Sequence, residues 1–189
     1  MEADRQMDHE TYHTSKTEPG RKVRKVKDAN AAQGIDTKRI HIRLLKDVEP
    51  PPMTLLLMAD PSEKLVRGYI ERGNCWVAEM GDETVGVYVL IETRPETVEL
   101  VNVALREDLQ GNGIGKRLVL HAVEAAREAG FRTIELGTGN SSIGQLALYQ
   151  KCGFRIIGVD IDFFVRHYDH PIFENGIQCR DMIRLRRDL

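Results

Sequence analysis

The chain has 189 residues, 41% of them hydrophobic and 30% charged, with a formal net charge of −2 at neutral pH. That is enough for one domain with a real core, and the near-neutral balance excludes a surface built to wrap nucleic acid or coat an anionic membrane. No apolar run reaches the roughly 18 residues a spanning helix needs, and the N-terminus has no apolar signal-peptide core. Cys75, Cys152 and Cys179 show neither CxxC nor Cys/His spacing, so a reducing, cytoplasmic setting is expected, without a metal or a disulfide framework.

Residues 1–38 are rich in Lys, Arg, Asp, Glu, Thr and Gln. They hold too little apolar surface to offset their ordering entropy and are expected to form a disordered N-terminal tail. Its basic run, Arg21-Lys22-Val23-Arg24-Lys25-Val26-Lys27, reads as solvated tail rather than a contact for an anionic partner. The folded domain is expected over residues 39–189. Ile40–Leu44 alternates apolar and polar, as a half-buried strand does, and Pro50-Pro51-Pro52 then breaks the chain. Short helices are expected at Thr54–Ala59 and Ser62–Glu71, with Ser62 as N-cap.

Cys75–Met80 and Thr84–Ile91 form a hairpin about Gly81-Asp82-Glu83. Gly86 inside the second strand marks a bulge or a close backbone approach. Thr97–Leu105 is the next strand, paired with its predecessor across Arg94-Pro95-Glu96. From Ile114 to Ala129 the apolar residues Ile114, Leu118, Val119, Ala122, Val123 and Ala126 fall at helical spacing, and Gly130 is a natural stop. A strand at Thr133–Leu136 and a helix at Ile143–Lys151 follow. Two late strands, Phe154–Phe164 and Cys179–Leu185, are joined by a loop rich in His, Asp, Pro and Asn. Together these predict one mixed α/β sheet with helices on both faces.

The chemistry gathers where the strand at Leu105 gives way to the helix at Ile114. Gln110-Gly111-Asn112-Gly113-Ile114-Gly115 lets the backbone turn sharply and approach a ligand. The helix N-terminus adds unpaired N–H groups and positive dipole potential, an arrangement suited to a diphosphate. Lys116 and Arg117 oppose the dipole there, which a bound polyanion would explain. The loop is not a Walker A sequence, because Gln110 stands where its first glycine belongs and Arg117 where Ser or Thr belongs. It is not a dinucleotide fingerprint either, because Lys116 replaces the third glycine.

What remains, Q-x-x-G-x-G, resembles the acetyl-CoA loop of the GNAT superfamily of N-acetyltransferases. Leu146-Ala147-Leu148-Tyr149-Gln150-Lys151-Cys152-Gly153-Phe154 is similar to the A-x-x-L-Y-x-x-x-G-F segment of that family, with Ala147 nearer Leu148 than usual. Val101-Asn102-Val103-Ala104-Leu105 is similar to its apolar strand before the loop. The resemblance covers roughly residues 40–189 and implies a mixed, mostly antiparallel central sheet. It also implies acetyl transfer from acetyl-CoA to a primary amine of a small molecule or peptide, in a ternary complex and without a metal. Protein lysine or N-terminal acetylation, and a non-catalytic acyl-CoA sensor, are the alternatives. The oligomeric state is open between monomer and homodimer.

Laid on this sequence, the resemblance gives Gln110, Gly111, Asn112, Gly113, Ile114, Gly115 and Lys116 to the diphosphate. It gives the strand end Val103, Ala104 and Leu105 to the amides of the pantetheine arm. A splayed gap between Leu100–Leu105 and Thr133–Leu136 admits the thioester, and a strand N–H such as that of Val103 stabilises its oxygen. Tyr149 is the implied general acid. A tyrosine of pKa about 10 stays protonated at neutral pH and can serve a thiolate whose conjugate acid has pKa about 8.5. Glu99 and Glu135 are the two candidate bases. The family often contacts the cofactor arm with an Asn where this chain has Ser142, and the nearest Asn is Asn140. Acceptor choice is placed in Val48–Arg72 and Val165–Ile177, and His167, Asp169 and His170 make no convincing metal set.

Overall fold

Five strand-to-strand steps of the main sheet are antiparallel and one is parallel, and the parallel one makes the site. The structure, a computed structural model, describes residues 39–189; the expected tail and its basic run lie outside them. In chain order the elements are β1 (Ile40–Leu44), α1 (Met53–Ala59), α2 (Glu63–Ile70), β2 (Asn74–Met80), β3 (Glu83–Arg94), β4 (Thr97–Leu105), α3 (Ile114–Glu128), β5 (Thr133–Gly139), α4 (Ile143–Lys151), β6 (Arg155–Asp160), α5 (Phe163–His167), β7 (Ile172–Glu174), β8 (Ile177–Cys179) and β9 (Met182–Asp188). The sheet runs β1-β2-β3-β4-β5-β9-β6, and β7 and β8 form a separate two-stranded hairpin. Strands β4 and β5 are the parallel pair.

Alternation along β3 splits the core in two. Tyr88 and Leu90 join Leu118, Val119, Ala122 and Ile134 in the larger cluster, with α3 as its lid. Val87, Val89 and Ile91 face the other way and pack with Leu55, Leu56, Val66 and Tyr69 of α1 and α2. Helices therefore cover both faces, as expected. Each fully buried aliphatic of this kind contributes about 1.5–3 kcal/mol, so α3, with Ile114, Leu118, Val119, Ala122, Val123 and Ala126 all buried, is held mainly by its inner face. Ser62 caps α2 through the Leu65 N–H at 3.5 Å.

Gly86 meets both of its expectations. The β2–β3 register shifts there, pairing Ala78 with Gly86 and Glu79 with Thr84. A Cβ at Gly86 would lie 3.1 Å from Leu118 Cδ1 and 3.3 Å from Ala104 O.

Three expectations need correction. Strand β5 runs on from Leu136 to Gly139. Its glycines do not end it, because neighbouring side chains occupy the space a Cβ would take: a Cβ on Gly137 would collide with Met182 Sδ and one on Gly139 with Cys179 Sγ. The expected strand Phe154–Phe164 stops at Asp160, and Phe163 and Phe164 begin α5 instead. Asp162, at φ 56°, turns the chain there, and Phe163, Phe164, His167 and Tyr168 stack on one another as a short helix allows. The last strand begins at Met182 rather than Cys179 and extends to Asp188. Within the late loop, Asn175 (φ 54°) and Gly176 (φ 74°) turn the β7–β8 hairpin; the Asn-Gly pair was a legible hairpin signal that sequence reading passed over.

Candidate active site

Strands β4 and β5 are zipped only at their start, through Thr97↔Thr133, Val98↔Ile134 and Glu99↔Glu135. Beyond that point β5 turns to β9, and Leu100–Leu105 has no strand partner on its β5 side among the described residues. The split therefore opens from Leu100 and Leu136 onward, three residues later on β5 than expected, since Thr133–Glu135 belongs to the closed part. A bulge at Val101, where Val89 pairs with Asn102 and Leu90 with Leu100, bends β4 at the mouth of the split.

At the far end of β4 the loop forms a cradle. Gly111 (φ 78°) and Gly113 (φ 79°) are left-handed, and a Cβ on either would point into open space. Gln110 Nε2 donates to Leu105 O at 3.1 Å. Asn112 Nδ2 donates to Leu109 O at 3.2 Å and to Gln110 O at 3.0 Å. The first helical hydrogen bond runs from Arg117 N to Gly113 O. The N–H groups of Gly111 to Lys116 thus make no hydrogen bond among the described residues. Six unpaired donors beside an unzipped strand suit a diphosphate carrying an extended, amide-bearing arm. Arg117 also has a structural use, donating to Ile40 O of β1 at 2.7 Å, so Lys116 is the first-turn cation with no such tie.

Tyr149 is the buried residue of α4. Its ring lies edge-on to Phe154 at 6.2 Å, and burial pushes its hydroxyl up to about 12. The hydroxyl makes no hydrogen bond among the described residues. A tyrosine whose hydroxyl is held in its protonated form is available as a proton donor, and not as a tyrosinate base, near neutral pH.

Glu99 and Glu135 stand side by side on β4 and β5, at the closed end of the split. They differ in their partners. Glu135 accepts from Arg94 at 2.7 Å and from Arg184 at 3.3 Å. Glu99 makes no hydrogen bond among the described residues, and burial together with the Glu135 charge raises its pKa above the ordinary range.

The family model "Acetyltransferase (GNAT) family" matches residues 43–154. The chain belongs to the GNAT acetyltransferase family. It is similar to the uncharacterized N-acetyltransferase YvbK of Bacillus subtilis (strain 168), 58% identical over 155 residues that make up 82% of this chain and all of the relative. It is also similar to a Bacillus subtilis acetyltransferase solved in complex with CoA, at 60% identity and TM-score 0.76, covering 79% of this chain and 99% of that one. A GNAT acetyltransferase from Elizabethkingia anophelis solved with acetyl-CoA bound is 42% identical, TM-score 0.78, covering 80% and 99%. The enzyme is therefore an N-acetyltransferase, and its mixed seven-stranded sheet is the GNAT fold.

On that fold Asn140 and Ser142 take definite places in the β5–α4 turn. Asn140 Nδ2 donates to Gln178 O at 3.1 Å, and its Oδ1 accepts from the N–H groups of Arg180 and Asp181 at 2.8 and 3.0 Å. Ser142 Oγ donates to the Glu174 carboxylate. Both hold the β7–β8 segment against the rim of the split.

Sequence reading missed Asn102. It sits beside the β4 bulge, almost wholly buried, and its Nδ2 donates to Leu56 O at 3.0 Å and to Tyr69 Oη at 2.7 Å, tying α1 and α2 to the site. Its Oδ1 has no partner among the described residues, a cost of about 1–3 kcal/mol that an acceptor or water at the bulge would remove. The lone Asn within the apolar strand Thr97–Leu105 was the available signal. Tyr168 Oη donates to Asp60 Oδ1 at 3.1 Å, which brings the two segments assigned to acceptor choice into contact. Among the described residues no group of three or more His, Cys, Asp or Glu is placed to hold a metal ion.

Proposed function

We propose that the enzyme moves an acetyl group directly from acetyl-CoA to a primary amine of a small molecule or peptide. The observation that carries this reading is the unzipping of β4 from β5 just past Glu99, with the N–H cradle at the far end of the opened strand. The N–H groups of Gly111 to Lys116 hold the diphosphate, with Lys116 adding charge, and Val103, Ala104 and Leu105 offer backbone groups to the pantetheine amides. Acetyl-CoA supplies the electrophilic acyl carbon and a thiolate leaving group. A β4 N–H, that of Val103 in this assignment, steadies the carbonyl oxygen as charge develops on it.

An alkylammonium of pKa about 10.4 must lose a proton before it can attack, a gap of about 4–5 kcal/mol at neutral pH. We assign that proton to Glu99, directly or through water. Glu135 is engaged by two guanidiniums, whereas Glu99 is unengaged and its raised pKa makes it the better acceptor. The amine nitrogen bonds to the acyl carbon as the carbon–sulfur bond breaks and Tyr149 donates its proton to the departing sulfur; the second proton, which the nitrogen sheds as the amide forms, returns through water to the tyrosinate. Asn140 and Ser142 act at one remove, by fixing the rim of the split.

A thiol-release assay with acetyl-CoA and a panel of small amines and peptides tests the reading. Release dependent on a small amine or short peptide is expected. Preference for lysine or the N-terminus of a folded protein would move it to protein acetylation, and acetyl-CoA binding without release on any acceptor would make it a sensor. The site of action in this reading is the cytoplasm, and 39–189 is the functional domain. Deletion of residues 1–38 should leave acetyl-CoA binding and melting temperature nearly unchanged; a large fall in melting temperature would show that the tail belongs to the fold.

Glu99→Gln separates base from bystander. Turnover should fall about 10²-fold, the low end for loss of a general base, and the acidic limb of the pH–rate profile should disappear. Stability should move the other way. A carboxyl whose folded pKa is raised binds its proton more tightly in the fold, so its contribution fades as pH rises through the window above the ordinary glutamate value. The Gln variant should therefore melt higher than wild type at neutral pH, with the gain vanishing in acid. Unchanged turnover and pH profile would pass the role to Glu135 or to water.

A further inference from the structure

The two edges of the main sheet are treated differently. At β1, Arg43 is clamped by Glu49 at 2.7 Å and Glu79 at 2.6 Å, Arg117 occupies the Ile40 carbonyl, and three prolines follow. These are the usual means of blunting an edge. Strand β6, at the other edge, has no such clamp, occupied carbonyl or proline, and its one blunting feature is a bulge at Ile157. It reads Arg155-Ile156-Ile157-Gly158-Val159-Asp160, with no charge or proline between its ends. Ile156, Ile157 and Val159 are 53%, 47% and 45% exposed, and Ile161 just beyond is 62% exposed. Aliphatic side chains this exposed, in a row along an unpaired edge, mark a contact surface.

The charges at the two ends of β6 select the occupant. Arg155 lies directly across from Arg186 of β9, an unfavourable like-charge pair, and it has no acidic partner among the described residues. A cavity of about 280 Å³ opens beside it, lined in part by Arg155, Ile156, Ile157, Arg186 and Arg187. At the other end, the nearest cation to Asp160 is Arg184, at 4.0 Å. Turned antiparallel on itself about the point between Ile157 and Gly158, the strand is self-complementary. Arg155 meets Asp160 of the partner subunit, Ile156 meets Val159 of the partner subunit, and the same contacts recur by symmetry.

We propose that β6 is the contact edge of a two-fold homodimer, a second copy of this chain lying antiparallel along it. The bulge that leaves Ile157 without a β9 partner twists the edge locally, so the contact is confined to the strand and its two charged ends. The catalytic split lies on β4 and β5, with β9 between it and this surface, so association leaves the split open.

Sedimentation equilibrium on the full chain tests this through a charge exchange. Wild type should show twice the 21.5 kDa chain mass. Arg155→Asp alone and Asp160→Arg alone each place like charges at both end contacts, and each should raise the dissociation constant at least tenfold. Mixed in equal amounts they restore both opposite-charge contacts, so the heterodimer should form with near wild-type affinity. A native far-ultraviolet circular dichroism spectrum and an intact acetyl-CoA response in each variant would show that it folds, a modest fall in melting temperature being what loss of the partner predicts. A monomeric wild type, single variants that dimerise as tightly as wild type, or a mixture that stays monomeric would each overturn the proposal.

Discussion

Replacing Tyr149 by Phe is expected to lower turnover by about 10²–10⁴, the range for losing general acid catalysis, while leaving the fold and acetyl-CoA affinity nearly intact. The ring that packs edge-on to Phe154 is retained. The hydroxyl makes no hydrogen bond among the described residues, so its removal leaves no orphaned partner there. The loop proposed to hold the diphosphate lies on a different element. Burial lifts the hydroxyl to about 12, so the wild-type enzyme should keep its acid through pH 10, where an ordinary tyrosine is half ionised. Turnover, melting temperature and acetyl-CoA binding measured on the one variant separate the possibilities. Normal turnover in a folded protein would remove Tyr149 from the mechanism and leave water as the proton donor. Lost stability with normal per-molecule turnover would make it a core residue alone.

What the sequence made legible follows from how locally each feature is determined. The helix beginning at Ile114 announces itself by spacing, and Gly113, which adopts φ 79°, announces the turn before it. The strand Thr97–Leu105 was readable to its ends because each end is a local event. The split between β4 and β5 could be placed only approximately. Where the strands separate depends on β5 choosing β9 as partner, a pairing between residues far apart in sequence. Strand β5 was cut short for the same reason. Gly137 and Gly139 carry no side chain to extend the apolar pattern past Leu136, and the Met182 and Cys179 side chains that fill the space beside them come from distant parts of the chain. The choice between Glu99 and Glu135 was likewise closed to sequence reasoning. In the proposed assignment it rests on Arg94 and Arg184 pairing with one carboxylate and not the other, and Arg184 arrives from the last strand.

Replacing Gly113 by Val should abolish acetyl-CoA binding while leaving the domain folded. Two effects combine and can be separated. Gly113 is left-handed at φ 79° and caps α3, a conformation that costs a residue with a Cβ roughly 1–2 kcal/mol and a β-branched one more. No protein atom lies within 4 Å of the new Cβ, so the domain meets no clash, and the space it enters is the diphosphate's in the proposed site. Gly81, in the β2–β3 turn, is also left-handed at φ 65° with nothing within 4 Å of a Cβ, and it lies outside the cradle. Gly81→Val therefore carries the backbone penalty without the crowding. At a hundredfold excess over its dissociation constant, acetyl-CoA should stabilise wild type by about 2.7 kcal/mol. That gain should persist in Gly81→Val, on a lowered baseline, and vanish in Gly113→Val. A thermal-shift series in which both variants respond like wild type would move the diphosphate away from this loop. One in which wild type itself gives no response would remove acetyl-CoA from the reading altogether.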